Sequence, residues 1–176
     1  MKTGLRRLTR EHVASFCRLV VGLADYEKLP PPDEAAQARL VEDALGPKPR
    51  IEVWLAFVGG ETTPCGYLIL VETYSSFLAL PTLYIEDVFV LPEQRSRGVG
   101  GTLLRKAVSL AHERNYGRVE WTALDWNVNA RRVYEQRMGA KRMGEWFLYR
   151  MTREDMSRFL KNEGGQSDIV GTSISE

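Results

Sequence analysis

The spacing of apolar residues in the first quarter of the chain predicts two helices. A run of apolar residues at helical spacing begins after Thr9, a residue type that often precedes a helix, and extends to about Glu27. The prolines at 30–32 end this segment, since proline interrupts a helix. Asp33 is then placed to cap a second helix that ends at Gly46. The apolar positions of the first helix are Val13, Phe16, Leu19, Val20 and Leu23.

Three runs rich in apolar and β-branched residues follow and predict strands. They cover Ile51–Val58, Pro64–Tyr74 and Leu83–Leu91, with turn-forming residues between them. Short connections of this kind favour hairpins and therefore an antiparallel sheet. The third run is apolar apart from Glu86 and Asp87, which indicates a central strand covered on both faces.

The second half of the chain returns to helical periodicity. A long helix is predicted from Val99 to Asn115, with one apolar face. The residues of this face are Leu103, Leu104, Ala107, Val108 and Ala111. A strand over Arg118–Leu124 and a helix opening at Asn127–Ala130 come next. A strand over Trp146–Met151 and a short helix over Arg153–Lys161 complete the pattern.

Length and charge narrow the class of protein. A chain of 176 residues fits one domain, which we place at 1–161, and the polar residues 162–176 predict a disordered tail. The 24 basic and 23 acidic residues nearly cancel, so neither nucleic acid nor a membrane is an expected partner. No leader-like apolar segment or run of 18 apolar residues occurs, which predicts a cytoplasmic protein. Cys17 and Cys65 lack the spacing of a zinc site, so we expect free thiols and no metal.

The strongest chemical signal is the segment VFVLPEQRSRGVGGTLL, in which a strand leads through glycines into the long helix. Unpaired N–H groups and the helix dipole at such a junction bind anions, and glycine allows close approach. A P-loop would need Lys before Thr102, and a dinucleotide fingerprint would need glycine where Leu103 stands. Neither motif is present. The alternative is a glycine-rich turn without a ligand.

The stretch RSRGVG matches the R-x-x-G-x-G pattern with which GNAT acetyltransferases bind the pyrophosphate of CoA. LADYE, LYIEDVFV and WTALDWNVNARRVYEQRMGA resemble the spermidine/spermine N-acetyltransferase branch, especially its thialysine and ornithine acetyltransferase-like members. The resemblance implies an α/β (α+β) GNAT fold. In this fold a mixed, mostly antiparallel, twisted sheet is splayed at its middle strands and flanked by helices.

The resemblance implies acetyl-CoA as co-substrate. The residues expected to contact it are Val88, Phe89, Val90, Arg95, Ser96, Arg97, Gly98, Val99, Gly100, Gly101, Asn127, Ala130 and Tyr134. By motif position Tyr134 is the general acid that protonates the departing thiolate. It follows Asn127 by seven residues, so both would lie on one face of a regular helix. The alternative for Tyr134 is an aromatic packing residue.

On the amine side, Glu86 resembles the residue that takes the proton of the amine through water, a role that burial in the strand would favour. Strand alternation places Glu86 and Asp87 on opposite faces. The residues expected on the substrate side are Tyr26, Glu27, Glu86, Asp87, Trp121, Glu145 and Trp146. Their acidic members suit a cation. A structural carboxylate is the alternative for Glu86, and a solvated helix end is the alternative for Glu27.

Two departures from the branch affect these expectations. Ser75-Ser76-Phe77 stands where the polyamine-specific enzymes have an aspartate, which favours a short diamine or an amino acid over a long polyamine. YEQRMGA carries one residue more than the family has between its tyrosine and glycine.

The predicted function is N-acetylation of a small cationic amine. We expect a homodimer by resemblance alone. The aromatic residues Tyr26, Phe77 and Trp146 suggest a closed pocket for a small substrate. The alternatives are a GNAT enzyme acting on a protein amine and a CoA-binding domain without catalysis.

Overall fold

The computed structural model describes residues 2–162 and divides into two compact units, one ending at Leu124 and the other beginning at Asp125. The prediction of a single domain over 1–161 therefore stays a prediction. The tail predicted over 162–176 lies, apart from Asn162, outside the described residues. In the part of the chain that is described, no helix combines the length and apolarity needed to cross a bilayer.

The first unit is built on a five-stranded sheet in the order β1-β2-β3-β4-β5. The pairs β1–β2, β2–β3 and β3–β4 are antiparallel, and the pair β4–β5 is parallel. The strands are β1 (Thr3–Arg7), β2 (Glu52–Val58), β3 (Gly66–Ser75), β4 (Leu80–Val90) and β5 (Arg118–Trp121). This confirms the mixed, mostly antiparallel fold class. The sequence pattern did not predict β1. This strand has five residues, none of them buried, and lies at the edge of the sheet.

Three helices belong to this unit: α1 (Val13–Glu27), α2 (Glu34–Leu45) and α3 (Val99–Glu113). A short 3-10 turn over Arg10–His12 precedes α1, and the Thr9 hydroxyl is 3.1 Å from Nδ1 of His12 instead of capping a backbone amide. The predicted cap of α2 is confirmed, because Oδ1 of Asp33 accepts a hydrogen bond from the amide of Ala36 at 2.7 Å.

The core on one side of the sheet is covered by α1. Phe16 of α1 makes an edge-on contact with Tyr67 of β3, with ring centroids 5.4 Å apart. Tyr67 lies opposite Phe89 of β4 and is fully buried. The remaining buried members of this core are Leu8, Leu19, Ala44, Val53, Leu55, Phe57 and Ile69.

Neighbouring residues of β3 alternate between faces, so Leu68 and Leu70 are buried on the other side, where α3 packs. The buried residues of α3 are Val99, Leu103, Leu104, Ala107, Leu110 and Ala111. The prediction that Val108 belongs to this face was wrong, since its side chain is 44% exposed and Leu110 is buried instead. Because both faces of β4 are covered, the predicted central strand is confirmed.

The second unit contains α4 (Val128–Arg132), a π-helical turn over Val133–Arg137, and α5 (Arg153–Asn162). The strand predicted over Trp146–Met151 was wrong, because these residues form neither strand nor helix. Four consecutive apolar residues lie there, Trp146 to Tyr149, and each is more than 70% exposed. Their β-propensity alone does not form a strand, because a strand also needs a neighbour to pair with.

Candidate active site

The loop from β4 to α3 has the shape of an anion-binding site. A 3-10 turn over Pro92–Gln94 follows β4, and Ser96 and Gly98 then adopt positive φ angles of 60° and 83°. Gly98 is the residue before the first turn of α3, and glycine adopts this conformation without strain. Since glycine has no side chain to cap the helix, the first amides of α3 are left for another acceptor.

Open space in front of these amides supports the same interpretation. A Cβ atom added at Gly100 would meet only a methyl group of Val90, at 3.8 Å, and one at Gly101 would meet nothing within 4 Å. The folded chain therefore does not need glycine at these two positions for its own packing. Val99, between Gly98 and Gly100, is only 1% exposed. It therefore anchors the start of α3 and can reach a ligand only through its backbone. The loop fits the diphosphate of CoA.

Arg95 connects this loop to two other elements. Its Nε donates a hydrogen bond to the carbonyl of Val90 at 2.9 Å. Its guanidinium lies 4.3 Å from the ring centroid of Tyr26, at the end of α1, which is a cation–π contact. Arg97 is exposed and donates to Gln94 at 3.3 Å. Arg95 is thus a positioning residue of the loop, and Arg97 is the more exposed cation.

The sheet opens where β5 ends. β5 pairs with β4 over Thr82–Ile85, and its last residue, Trp121, lies opposite Ile85. β4 continues to Val90 alongside β3, but no strand within residues 2–162 pairs with its other edge beyond Ile85. This is the splay that the resemblance implies. Those backbone amides of Val88 to Val90 that point to the unpaired edge are suited to polarise a carbonyl group.

A β-bulge coincides with this opening. Ile69 and Leu70 of β3 face Asp87 and Ile85, so Glu86 between them has no partner residue. The prediction that Glu86 and Asp87 point to opposite faces assumed a regular strand. That assumption was wrong, because the bulge interrupts the alternation of side chains between the two faces. Glu86 is exposed and not buried in the strand as expected.

Asp87 is the half-buried carboxylate of the pair. Opposite residues of an antiparallel pair share a face, so Asp87 lies with Ile69 on the face covered by α1. Its Oδ2 accepts a hydrogen bond from the hydroxyl of Tyr67 at 3.3 Å. Burial, followed by the charges of Glu86 and Glu27, raises the pKa of Asp87 to about 6, although the Tyr67 hydrogen bond acts in the opposite direction.

The first unit thus brings together several predicted substrate-side residues. Tyr26 and Glu27 are the last residues of α1 and are half-buried. The charge of Glu27 affects both Asp87 and Tyr67, and burial is the main cause of the raised pKa of Tyr67. Glu27 is therefore not an isolated solvated helix end.

Tyr67 was missed by the sequence interpretation. The signal was present, because a tyrosine in a buried strand needs a partner for its hydroxyl. The partner itself could not be read from the sequence, since Asp87 is 20 residues away in the chain.

The second unit carries the predicted proton donor. Asn127 precedes α4, and its Oδ1 accepts from the amide of Ala130 at 3.3 Å. Tyr134 is half-buried and lies in the π-helical turn, in which the amide of Met138 donates to the carbonyl of Val133 at 3.1 Å. The argument that Asn127 and Tyr134 share a face assumed a regular α-helix and does not hold through this turn.

The π-helical turn explains the extra residue of YEQRMGA. An i to i+5 hydrogen bond encloses one residue more than the bond of an α-helix, so the turn absorbs the insertion without ending the helix. Gly139 then follows with a φ of 70°.

Three other predicted positions lie away from any enclosed site. Glu145 is exposed, and Trp146 is 74% exposed. Phe77, at the tip of the β3–β4 hairpin, is 98% exposed. Ser75 beside it is buried and accepts a hydrogen bond from the amide of Leu78 at 3.3 Å, so it closes the turn. The closed aromatic pocket expected from Tyr26, Phe77 and Trp146 stays a prediction, and Phe77 and Trp146 are each mostly exposed within their own units.

The model of the acetyltransferase (GNAT) family matches residues 19–140. The chain belongs to the GNAT family of acetyltransferases. Members of this family use acetyl-CoA as the acetyl donor. Among residues 2–162, no three His, Cys, Asp or Glu side chains are grouped so as to hold a metal ion.

Curated relatives support the predicted spermidine/spermine N-acetyltransferase branch. They also identify the chain as an N-acetyltransferase. L-ornithine N5-acetyltransferase NATA1 of Arabidopsis thaliana is 45% identical over 87 residues, which are 49% of this chain and 38% of that protein. Thialysine N-epsilon-acetyltransferases of Bos taurus and Caenorhabditis elegans are 28% and 27% identical. These alignments cover 86% of this chain and 94% and 93% of the relatives.

Solved structures agree on the fold. A probable acetyltransferase has a TM-score of 0.73 and 24% identity over 86% of this chain and 97% of its own. AAC(6')-Iy, solved with a bisubstrate CoA analog, has a TM-score of 0.68 and 18% identity over 86% of this chain and 99% of its own. At these identities the likeness establishes the GNAT fold and nothing finer.

Proposed function

We propose that the protein transfers the acetyl group of acetyl-CoA to the amine of a small cationic metabolite by direct attack in a ternary complex. The substrate class is a thialysine-, ornithine- or lysine-like amino acid, a diamine or a polyamine. One observation carries the proposal: the uncapped, glycine-rich start of α3 and the acidic opening of β4 lie in the same unit. The first suits a diphosphate and the second suits a cation.

The acidic side is formed by Glu27, Glu86 and Asp87, and the charges of both glutamates act on Asp87. A protein with a net charge of +1 has no overall field that would attract a cation, so this attraction is local. The names of the relatives, which act on thialysine and ornithine, support an amino acid with a side-chain amine. Ser75 in place of an acidic residue supports a short substrate.

The proton transfers are assigned to two places in the chain. A cationic amine with a pKa of about 10.4 must lose a proton before its nitrogen can attack, and Glu86 or Asp87 accepts that proton. Tyr134 donates a proton to the departing thiolate, a role supported by its position in the family motif. Asn127 and Ala130 contact CoA in the same proposal. Glu145 and Trp146, both exposed, remain predicted substrate contacts.

A substrate panel tests the proposal. Purified protein and acetyl-CoA are combined with thialysine, ornithine, lysine, spermidine or a short peptide, and thiol release and product mass are measured. We expect turnover with at least one free amino acid and weaker turnover with spermidine. Turnover with the peptide alone would assign a protein amine as substrate. CoA binding without any turnover would indicate a binding domain.

Assembly and location are further parts of the proposal. Homodimerisation is supported by the family resemblance, and light scattering of the purified protein tests it. A cytoplasmic location is supported by the composition of the chain.

A further inference from the structure

Three features of the first unit coincide at one point of β4. The pairing with β5 stops at Ile85, the bulge releases Glu86 from the ladder, and Asp87 returns to the face covered by α1. β-Bulges redirect side chains and are frequent beside active sites. Here the bulge separates the roles of two adjacent carboxylates, since Glu86 is exposed and Asp87 is half-buried.

Asp87 is held in place by a hydrogen bond, whereas Glu86 is exposed. Oδ2 of Asp87 accepts the hydrogen bond of Tyr67, and Tyr67 is fixed between Phe16 and Phe89, with ring centroids 5.4 and 6.1 Å away. The second oxygen, Oδ1, stays outside that hydrogen bond. A proton acceptor must have a fixed position relative to the reacting nitrogen, and this arrangement supplies one.

We infer that Asp87, and not Glu86, accepts the proton of the amine, with Tyr67 as its positioning residue. The inference rests on the proposed function and assigns a further catalytic residue to it. Glu86 and Glu27 then serve to attract the ammonium group.

The ammonium group transfers one proton to the Asp87 carboxylate, which leaves a neutral amine and a carboxylic acid. The nitrogen lone pair forms a bond to the thioester carbon, and the carbon–sulfur bond breaks with its electron pair on sulfur. One of the two protons still bound to nitrogen is lost as the amide forms, and the thiolate is protonated to free CoA. Asp87 returns its proton to solvent.

The surroundings of Asp87 raise its affinity for a proton above that of an ordinary aspartate. Burial, with Glu86 on the same strand and Glu27 on α1, raises its pKa from 3.8 to about 6, while Tyr67 on β3 opposes the shift. Arg95 lies 5.6 Å from the ring centroid of Phe89 and is not among the charges that shift the pKa of Asp87. Each pKa unit is a factor of ten in the proton-transfer equilibrium, so the shift favours transfer to Asp87 by about 100-fold. The carboxylate still remains ionised above neutral pH.

The test is the pH dependence of kcat/KM for the best amine of the panel. Wild-type protein should show an acid limb near pH 6, set by Asp87. Asp87→Asn should lower kcat by about 100-fold or more and remove this limb, as loss of a general base does. Coenzyme A affinity, measured by calorimetry, should be unchanged and serves as the control for folding.

Two further variants distinguish a proton acceptor from a structural carboxylate. Tyr67→Phe removes a hydrogen bond that lowers the pKa of Asp87, so the limb should move to higher pH. Glu86→Gln removes a charge that raises it, so the limb should move to lower pH while KM for the amine rises. A merely structural Asp87 would leave the limb in place in both variants.

The outcomes separate the inference from the proposed function. If Glu86→Gln abolishes the acid limb and Asp87→Asn retains it, Glu86 is the acceptor and the inference is overturned. If wild-type protein acetylates no amine, the proposed function fails first. The titration of Asp87, followed by carbon-13 NMR of its carboxyl group, then still shows whether the carboxylate titrates near pH 6.

Discussion

The candidate site has two halves, the loop before α3 and the opening of β4, and they would bind their ligands through different groups. The loop before α3 offers backbone amides, and its specificity lies in residues that have no side chain, such as Gly98 and Gly100. The opening of β4 offers carboxylates whose properties depend on their surroundings, as the contrast between Glu86 and Asp87 shows. A backbone site needs particular residue types, whereas a side-chain site needs a particular environment. A backbone site can therefore be recognised from a sequence motif, whereas a side-chain site cannot.

The largest expected effect tests the backbone half. Gly100→Glu places a carboxylate in the open space before α3, where it should repel a diphosphate and weaken CoA binding by about 100-fold. The same change should leave the free energy of unfolding equal or higher, because an acidic residue in the first turn favours a helix. Calorimetry and urea unfolding measure the two quantities.

Gly4→Glu is the matched control for this variant. Gly4 is exposed on β1, and a Cβ there would meet nothing within 4 Å. It adds the same charge, and CoA affinity should stay within about twofold of the wild-type value. Equal losses in both variants would contradict an anion site at α3.

The side-chain half is tested through stability. The raised pKa of Asp87 means that the folded state binds its proton more tightly than the unfolded state, so ionisation of Asp87 destabilises the fold. Asp87→Asn should raise the free energy of unfolding at pH 7.5 by up to about 3 kcal/mol, the equivalent of about two pKa units.

The sign of this effect gives its pH window. The wild-type protein loses the corresponding stability as the pH rises from about 4 to about 6, so the advantage of the variant is absent below pH 4 and complete above pH 6. Urea unfolding at pH 4 and 7.5 measures it, and the exposed Asp25, changed to Asn, is the control. A variant that is less stable at pH 7.5 would show that Asp87 is retained for structure.

A smaller effect is expected when the chemical step is altered and both halves stay intact. Tyr134→Phe removes the proposed proton donor and retains the ring, so kcat should fall about tenfold or more with little change in CoA affinity. Steady-state kinetics and calorimetry test this together. Unchanged turnover would remove Tyr134 from the role.

The smallest effect tests whether the two halves are independent. Arg95→Ala removes both the hydrogen bond to Val90 and the contact with Tyr26, so KM should rise about threefold for acetyl-CoA and for the amine. Arg97→Ala, at an exposed position, should affect acetyl-CoA alone. Initial-rate kinetics with each substrate varied in turn measure both. If Arg95→Ala leaves the KM for the amine unchanged, the link between the halves is absent.

Much of the fold followed from the sequence, because local rules were sufficient. Periodicity located α1, α2 and α3, and Asp33 capped its helix as expected. Turn residues located the strands of the antiparallel sheet. The strand predicted over Trp146–Met151 did not form, because a local preference for β structure requires a partner strand.

The sequence alone determined the glycine-rich loop and its family, since the positive φ at Gly98 favours glycine and an anion in front of Gly100 needs the space that a side chain would fill. Only the tertiary structure gave Glu86 and Asp87 different surroundings. The bulge at Glu86 arises from pairing with β3, and the protonation of Asp87 depends on Tyr67 and Glu27, which are distant in the chain. A pKa is a property of the surroundings, and those exist only once the chain has folded.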